Sequence, residues 1–414
     1  MEHENSLTSI KPVIRDNSPN SILSVLYYNF FYIAVIGLSI APSLFISSKD
    51  NRNFLLISIM IGSMLLLPKI KAYSSIRPLL WLVPCIFIFP AVFHFNNFRL
   101  STIAFSSLFI FFYCISINSL FRDHISYKAY SSLLKYLIYT YFITLLIQQI
   151  CVLLGLPVFL GSNLSANPWK LNSLSAEPSH TARLVGLLMY SYLEVTGDYT
   201  PKHKMLFKSI KKHTLVWIAF LWVMTTTVSG TAFLILTIIL LSFLSRRNIL
   251  IFISSILIIF SIFSTLDIVA FKRFSIFIEA LLSLNMENIL MADHSASIRI
   301  LPAVLCIEKI NPFSLNGWVG MGIDTTKSWM SSVFPGVPDG FSGGAMANFV
   351  LEYGLIIGGL FLFYSFKICY SKNNKFITIS FWIICVLLQS INSQQLWCCM
   401  LLLFANKYFT NKLL

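Results

Sequence analysis

The chain has 414 residues, 57% of them hydrophobic and only 11% charged, with a mean hydropathy of +0.77. Water-soluble domains carry roughly 25% charged residues, so this composition excludes a soluble globular protein and points to a bilayer. The 30 Lys+Arg against 16 Asp+Glu give a net charge of +14, which in a soluble protein would suggest a nucleic-acid partner but here must first be set on a topology.

The first 21 residues are polar and lack the basic start, apolar stretch and small-residue cleavage site of a secretory signal. They read as a cytoplasmic tail. A bilayer-crossing helix needs about 20 mainly apolar residues, and twelve segments answer to that, near 22–46, 53–67, 79–95, 99–120, 133–160, 181–197, 214–229, 231–245, 248–265, 346–366, 376–391 and 394–406. The expected fold is all-α, a polytopic integral membrane protein of about twelve transmembrane helices. Its expected parts are the tail 1–21, helices one to nine over 22–265 with a short loop at 161–180, a large loop over 266–345, and helices ten to twelve with the C-terminus over 346–414.

Positive charge sets the orientation, because each added or lost span inverts every later loop. With Lys202, Lys204, Lys208, Lys211 and Lys212 in the cytoplasm, the clusters at Lys69/Lys71/Arg77, Arg122/Lys128/Lys135, Arg246/Arg247 and Lys367/Lys372/Lys375 fall on the same side, as do both termini. The cytoplasmic side then holds 20 Lys+Arg against six acids, and the outer side ten of each. The whole +14 becomes an orientation signal, and no nucleic-acid partner is expected.

Two outward segments stand out. The large loop is long enough that function or disorder is the usual explanation. Phe274, Phe277, Ile278, Leu281 and Leu282 share one helical face, as in an interfacial helix. A second helix is expected over Ile298–Ile310, stopped by Asn311-Pro312. The chain lacks a GxxxxGK[ST] phosphate loop, and its eight aspartates form neither an Asp-x-Asp nor an Asp-Asp pair. A nucleotide-driven pump and a metal-dependent nucleotide-sugar transferase are thereby disfavoured. Seven of the eight cysteines lie in or beside apolar runs, where packing is their expected role. No metal and no cofactor are expected.

Polar residues at the outer face carry the chemistry. In the short loop Glu177-Pro178-Ser179-His180 leads to Arg183, setting a carboxylate, an imidazole and a guanidinium at the mouth of the sixth span. An arginine there either snorkels to the interface or points into a cavity and holds an anion. In the large loop His294 precedes Arg299, which would fall in the first turn of the second helix and oppose its dipole unless an anion binds there. Lys272, Arg273, Lys309 and Lys327 read as solvated or interfacial charges, and Gly317-x-x-Gly320-x-Gly322 reads as a turn. In the tenth span Gly354 and Gly358 form a GxxxG pair suited to close helix packing. Glu352, one turn inside that apolar helix, is a functional candidate by default, with Asn348 one turn earlier as its expected hydrogen-bond partner.

With these motifs in this order, the chain resembles the O-antigen polymerases of the Wzy type, within the bacterial lipid-linked polysaccharide polymerases and ligases. The likeness rests on Glu177-Pro178-Ser179 with its following arginine and on the Thr225–Thr231 hairpin. Beyond these it rests on the Arg299 helix leading to Asn311-Pro312 and the glycine turn, and on Asn348-x-x-x-Glu352-x-Gly354-x-x-x-Gly358. The resemblance implies a metal-independent glycosyltransferase of the bacterial inner membrane, which moves a growing glycan from undecaprenyl pyrophosphate to a sugar hydroxyl of an incoming lipid-linked repeat at the periplasmic face. Arg183 and Arg299 would hold the pyrophosphate, with His180 and Asn348 as further binding candidates. Glu177 and His294 lead as the general base, with His180 and Glu352 behind them. Implied partners are the undecaprenyl-pyrophosphate-linked oligosaccharide and membrane lipids, with the pathway's chain-length regulator and flippase as further candidates. O-antigen ligases resemble this chain too, but often carry His-Asn where it has Ala347-Asn348; a flippase or other transporter is the alternative of another class.

Overall fold

The computed structural model describes residues 22–40, 53–71, 73–122, 125–158, 168–198, 206–243, 276, 279, 294–333 and 346–413. Among them every regular element is helical and no strand occurs. The helices are α1 (Ile22–Ser39), α2 (Phe54–Ser63), α3 (Arg77–Phe93), α4 (Leu100–Arg122), α5 (Tyr127–Leu153), α6 (Pro178–Val195), α7 (Leu206–Lys212), α8 (Thr214–Thr226), α9 (Gly230–Ser242), α10 (His294–Lys309), α11 (Leu315–Val319), α12 (Thr325–Val333), α13 (Met346–Cys369), α14 (Lys375–Trp382) and α15 (Gln394–Leu413). The expected span at 248–265 and the apolar face from Phe274 to Leu282 lie outside the described residues, apart from Ile276 and Glu279.

Among the described residues three helices, α4, α5 and α13, are long and apolar enough to cross a membrane, the mark of a helical membrane protein. Large apolar side chains face outward on many elements, among them Leu65, Trp81, Tyr136, Leu215 and Phe363 at 61–71% exposure. A water-soluble surface does not tolerate so broad an apolar coat.

Local chemistry sets where the helices end. Ser39 is the last helical residue of α1, and the rest of the expected span, from 41 to 46, lies outside the described residues. α5 begins six residues earlier than expected because the Ser126 hydroxyl accepts from Ala129 N at 3.1 Å. Its far end closes in a Schellman turn, with Leu156 N on Cys151 O and Gly155 N on Val152 O. α10 starts at His294, four residues earlier than expected, so Arg299 stands beyond the first turn and the conflict with the helix dipole disappears.

The bundle is organised around α6 and α15. Nearly every residue of α6 is buried, although the helix carries Arg183, Ser191 and Glu194. Such groups are tolerated inside only when hydrogen-bonded, and each has a partner. Arg183 donates to Gln395, Ser191 accepts from Asn406 Nδ2 at 3.0 Å, and Glu194 accepts from Asn374. α5, α8, α9 and α15 pack around α6, while α1, α4 and α13 pack against α15.

α13 is broken. Gly354 has φ +85° and ψ +166°, and a Cβ built on Gly358 would sit 2.7 Å from Val350 Cγ2. Eight residues of straight helix span about 12 Å, so the chain folds back at Gly354 and its two halves touch. The expected role for Gly354 and Gly358, a packing face for another helix, is thus replaced by a contact within α13. The break exposes two carbonyls, which the glycine turn before α12 covers: Met321 N donates to Leu351 O at 3.0 Å and Gly322 N to Glu352 O at 3.2 Å. Gly320, at φ +94°, lies so close that a Cβ there would meet Glu352 O at 2.1 Å. The glycine-spaced segment is therefore a backbone clamp on the broken helix.

Candidate functional site

Four helices of the bundle begin at one cavity of about 590 Å³. α2, α4, α6 and α15 each contribute residues from their first turns, and α12 adds Lys327. Because all four run from the cavity mouth into the bundle, position along each sequence becomes depth. The starts supply Asn53, Ser101, Thr102, His180, Gln394 and Gln395; Leu56 and, from later turns, Met60, Phe105, Phe109 and Leu184 supply apolar surface. The result is a polar mouth over an apolar floor. Helix starts carry unpaired N–H groups and the equivalent of about half a positive charge each, which favours an anion at the mouth.

Side chains from neighbouring elements fix the rim. Asn53 caps α2 by accepting from Leu56 N, and its Nδ2 donates to Ile40 O at 3.0 Å and Gln394 Oε1 at 3.1 Å. Gln394 Nε2 in turn donates to Gly37 O, Leu38 O and Ile40 O, and Tyr141 donates to Ser39 O. The segment before α6 is held by Ser173 and Gln148, which exchange two hydrogen bonds, and by Asn172, whose carbonyl accepts from Thr181. Lys170 N donates to Thr226 O at 3.1 Å, tying this segment to the turn between α8 and α9.

The residues singled out from sequence divide into three groups. Glu177, His180 and Arg183 come together at the start of α6. Glu177 is the N-cap residue, half exposed, and its Oε2 accepts from Ser179 Oγ at 3.2 Å and lies 3.9 Å from His180 Nε2. His180 lines the cavity. Arg183 is buried one layer behind, where its Nη1 donates to Oε1 of the lining residue Gln395 at 2.9 Å. It does not snorkel to an interface.

Glu352 and Asn348 form the second group, on the short half of α13. They do not bond to each other as expected. Glu352 Oε1 accepts from both the amide and the hydroxyl of Thr326, so the carboxylate caps the start of α12 from outside that helix. Asn348 Oδ1 accepts from Cys306 Sγ at 3.0 Å, and its Nδ2 is buried without a partner. Burial pushes the Cys306 thiol up to about 12, with the Glu352 carboxylate adding to the rise, so this cysteine is a packing donor rather than a nucleophile. Neither Glu352 nor Asn348 lines the cavity; Glu352 reaches it through Thr326, which precedes Lys327. The third group is His294 and Arg299, whose backbone belongs to α10 and whose side chains lie outside the described residues.

Sequence reasoning missed Asp324. It is 9% exposed, at φ +61°, a backbone that aspartate tolerates better than most residues. Its carboxylate faces Lys327 Nζ at 2.7 Å, Arg99 Nη1 at 3.3 Å and Thr102 Oγ1 at 3.1 Å. Lys327 is thus a wall residue of the cavity and not simply a solvated charge. The available signal was an acid two residues past the glycine turn, at the start of a helix. No family model, no curated protein and no solved structure matches the chain.

Proposed function

We infer that the chain is a metal-independent glycosyltransferase of the O-antigen polymerase type. It takes glycan from a polyprenyl pyrophosphate and joins it to a sugar hydroxyl of a second lipid-linked repeat. The observation that carries this reading is the cavity, whose helix starts and amides suit an anionic head while its floor suits an apolar chain. A lipid pyrophosphate has both parts; a free nucleotide or a soluble sugar has only one. The reading includes a twelve-span topology with both termini in the bacterial cytoplasm and the cavity mouth facing the periplasm. The shared direction of α2, α4, α6 and α15 supports that topology, since these are the second, fourth, sixth and twelfth spans of the sequence reading.

The reaction forms a bond from the acceptor oxygen to the anomeric carbon and breaks the bond from that carbon to the pyrophosphate oxygen. The lipid pyrophosphate leaves with the electron pair, and the acceptor proton passes to a base. Charge growing on the leaving oxygen is stabilised by donors already oriented around it. Here these are the helix starts, Gln395 backed by Arg183, and Arg299 if its side chain turns to the cavity. Glu177 and His180 stand together at the mouth, where a carboxylate and an imidazole can share the acceptor proton; His294 remains the other candidate.

The test is purified full-length protein in lipid nanodiscs or vesicles, given lipid-linked repeat units. A ladder of polymer is the expected product. Movement of the lipid across the vesicle bilayer without polymer would make the chain a flippase, transfer only to a lipid A core acceptor would make it a ligase, and no reaction at all would overturn the reading.

A further inference from the structure

Among the described residues lining the cavity, Lys327 is the only lysine or arginine. We propose that it makes a direct contact to the phosphate group of the bound lipid, and that Asp324 is the residue that positions it. The proposal rests on the cavity reading above and adds to it a cation from outside the two arginine motifs.

Two observations support it. Asp324 is one carboxylate shared by two cations, Arg99 at 3.3 Å and Lys327 at 2.7 Å, so the cluster keeps a surplus positive charge. Arg99 holds the same oxygen, Oδ2, as Thr102, while Lys327 holds Oδ1 alone. The second observation is geometric. An ammonium group has three donors, one of them directed at Oδ1, and the Lys327 side chain remains 41% exposed where it meets the cavity. Its remaining donors are open to a ligand at the mouth. The backbone under Lys327 is held from both sides, by Asp324 O accepting from Lys327 N at 3.2 Å and by Glu352 capping Thr326. The ammonium therefore stands on a fixed helix start, tethered at a set distance from the rim.

The experiment uses full-length protein in detergent with farnesyl diphosphate as the amphiphilic probe and inorganic pyrophosphate as the soluble one. Titrations give Kd for wild type, Lys327→Ala, Lys327→Arg, Asp324→Asn and the double variant Asp324→Asn/Lys327→Ala. Lys327→Ala is expected to weaken farnesyl diphosphate binding by about tenfold to a hundredfold, the usual range for a hydrogen bond between charged groups, and Lys327→Arg by only a few fold. Asp324→Asn adds a net positive charge, so neutralisation alone predicts tighter binding, whereas positioning predicts weaker binding. Its effect should vanish in the Lys327→Ala background, which a general structural defect would not do. Weaker pyrophosphate than farnesyl diphosphate binding by wild type marks a lipid ligand; equal binding marks a free phosphate site. If wild type binds neither probe, the cavity reading itself fails. Wild-type affinity in Lys327→Ala would overturn the lysine contact alone, and tighter binding in Asp324→Asn would overturn the positioning role.

Discussion

Replacing Gly354 with alanine tests the clamp on which the cavity wall stands. At φ +85° and ψ +166° the residue occupies a region used almost only by glycine, where another residue costs about 1–3 kcal/mol. A Cβ would also lie 2.1 Å from Trp318 O and 2.5 Å from Gly320 N, backbone atoms that cannot swing aside. Relief requires parting the glycine turn from the broken helix, with loss of the Met321 and Gly322 hydrogen bonds at about 1 kcal/mol each. The combined penalty is roughly 3–5 kcal/mol, a large part of the roughly 5–15 kcal/mol that stabilises an ordinary domain. Gly359→Ala is the internal control, since nothing lies within 4 Å of a Cβ there, and alanine in a helix is favoured by about 1 kcal/mol. Thermal unfolding of full-length protein in detergent should show Gly354→Ala strongly destabilised and Gly359→Ala unchanged or slightly more stable. Polymer yield should fall only in the former. Equal melting of Gly354→Ala and wild type would refute the clamp, as would equal damage from both variants. Gly320→Ala should match Gly354→Ala, and the double variant should be little worse than either, because both open the same contact.

Three further outcomes are expected. Gln395→Leu and Arg183→Ala should each lower chain extension by about two to three decades while the protein still inserts, because one lines the cavity and the other holds it in place; full-length polymer ladders from Arg183→Ala membranes would remove the residue from the site. Glu177→Gln should still bind the lipid-linked donor yet fail to transfer it, whereas normal single-turnover rates would leave Glu177 only its contacts with Ser179 and His180. At Asp198, burial works against the charged carboxylate, but hydrogen bonds from His213, Lys212 and Ser209 outweigh it and hold the group below its ordinary range. A depressed folded pKa contributes stability that is complete above the unfolded value of about 3.9 and is lost as pH falls through the folded one. The melting deficit of Asp198→Asn should therefore not narrow from pH 7 to pH 5 and should shrink below about pH 4; a deficit that already narrows between pH 7 and pH 5 would contradict this assignment.

Helix existence was legible because apolar runs leave few alternatives for a backbone that must satisfy itself. Helix ends were less so, and the reasons are local, as where the Ser126 cap lengthens α5. The break in α13 was written in the sequence as Gly354, but GxxxG spacing admits two meanings, a packing face or a turn. Only the approach of Gly320, some thirty residues earlier in the chain, decides between them. The grouping of Glu177, His180 and Arg183 follows from spacing on one helix. Asp324, Lys327 and Arg99 did not stand out because their association joins the start of α4 to a turn more than two hundred residues later, and no pattern along the chain encodes that meeting. Gln394 and Gln395 carried a fainter signal, two adjacent amides opening an otherwise apolar helix.

The capping of α1 bears on which ions the cavity mouth admits. α1 runs opposite to its neighbours, so its carbonyl end lies beside Asn53 and Gln394, at the rim. Left bare, four carbonyl oxygens there would repel a phosphate and offer a cation a ready coordination shell. Gln394, Asn53 and Tyr141 occupy the carbonyls of Gly37, Leu38, Ser39 and Ile40. The rim thus sheds the negative potential of the α1 carbonyls, and the donors of the helix starts around it face less opposition. Two amides and a phenol, none of them charged, in this way remove one source of repulsion for an anion at the site.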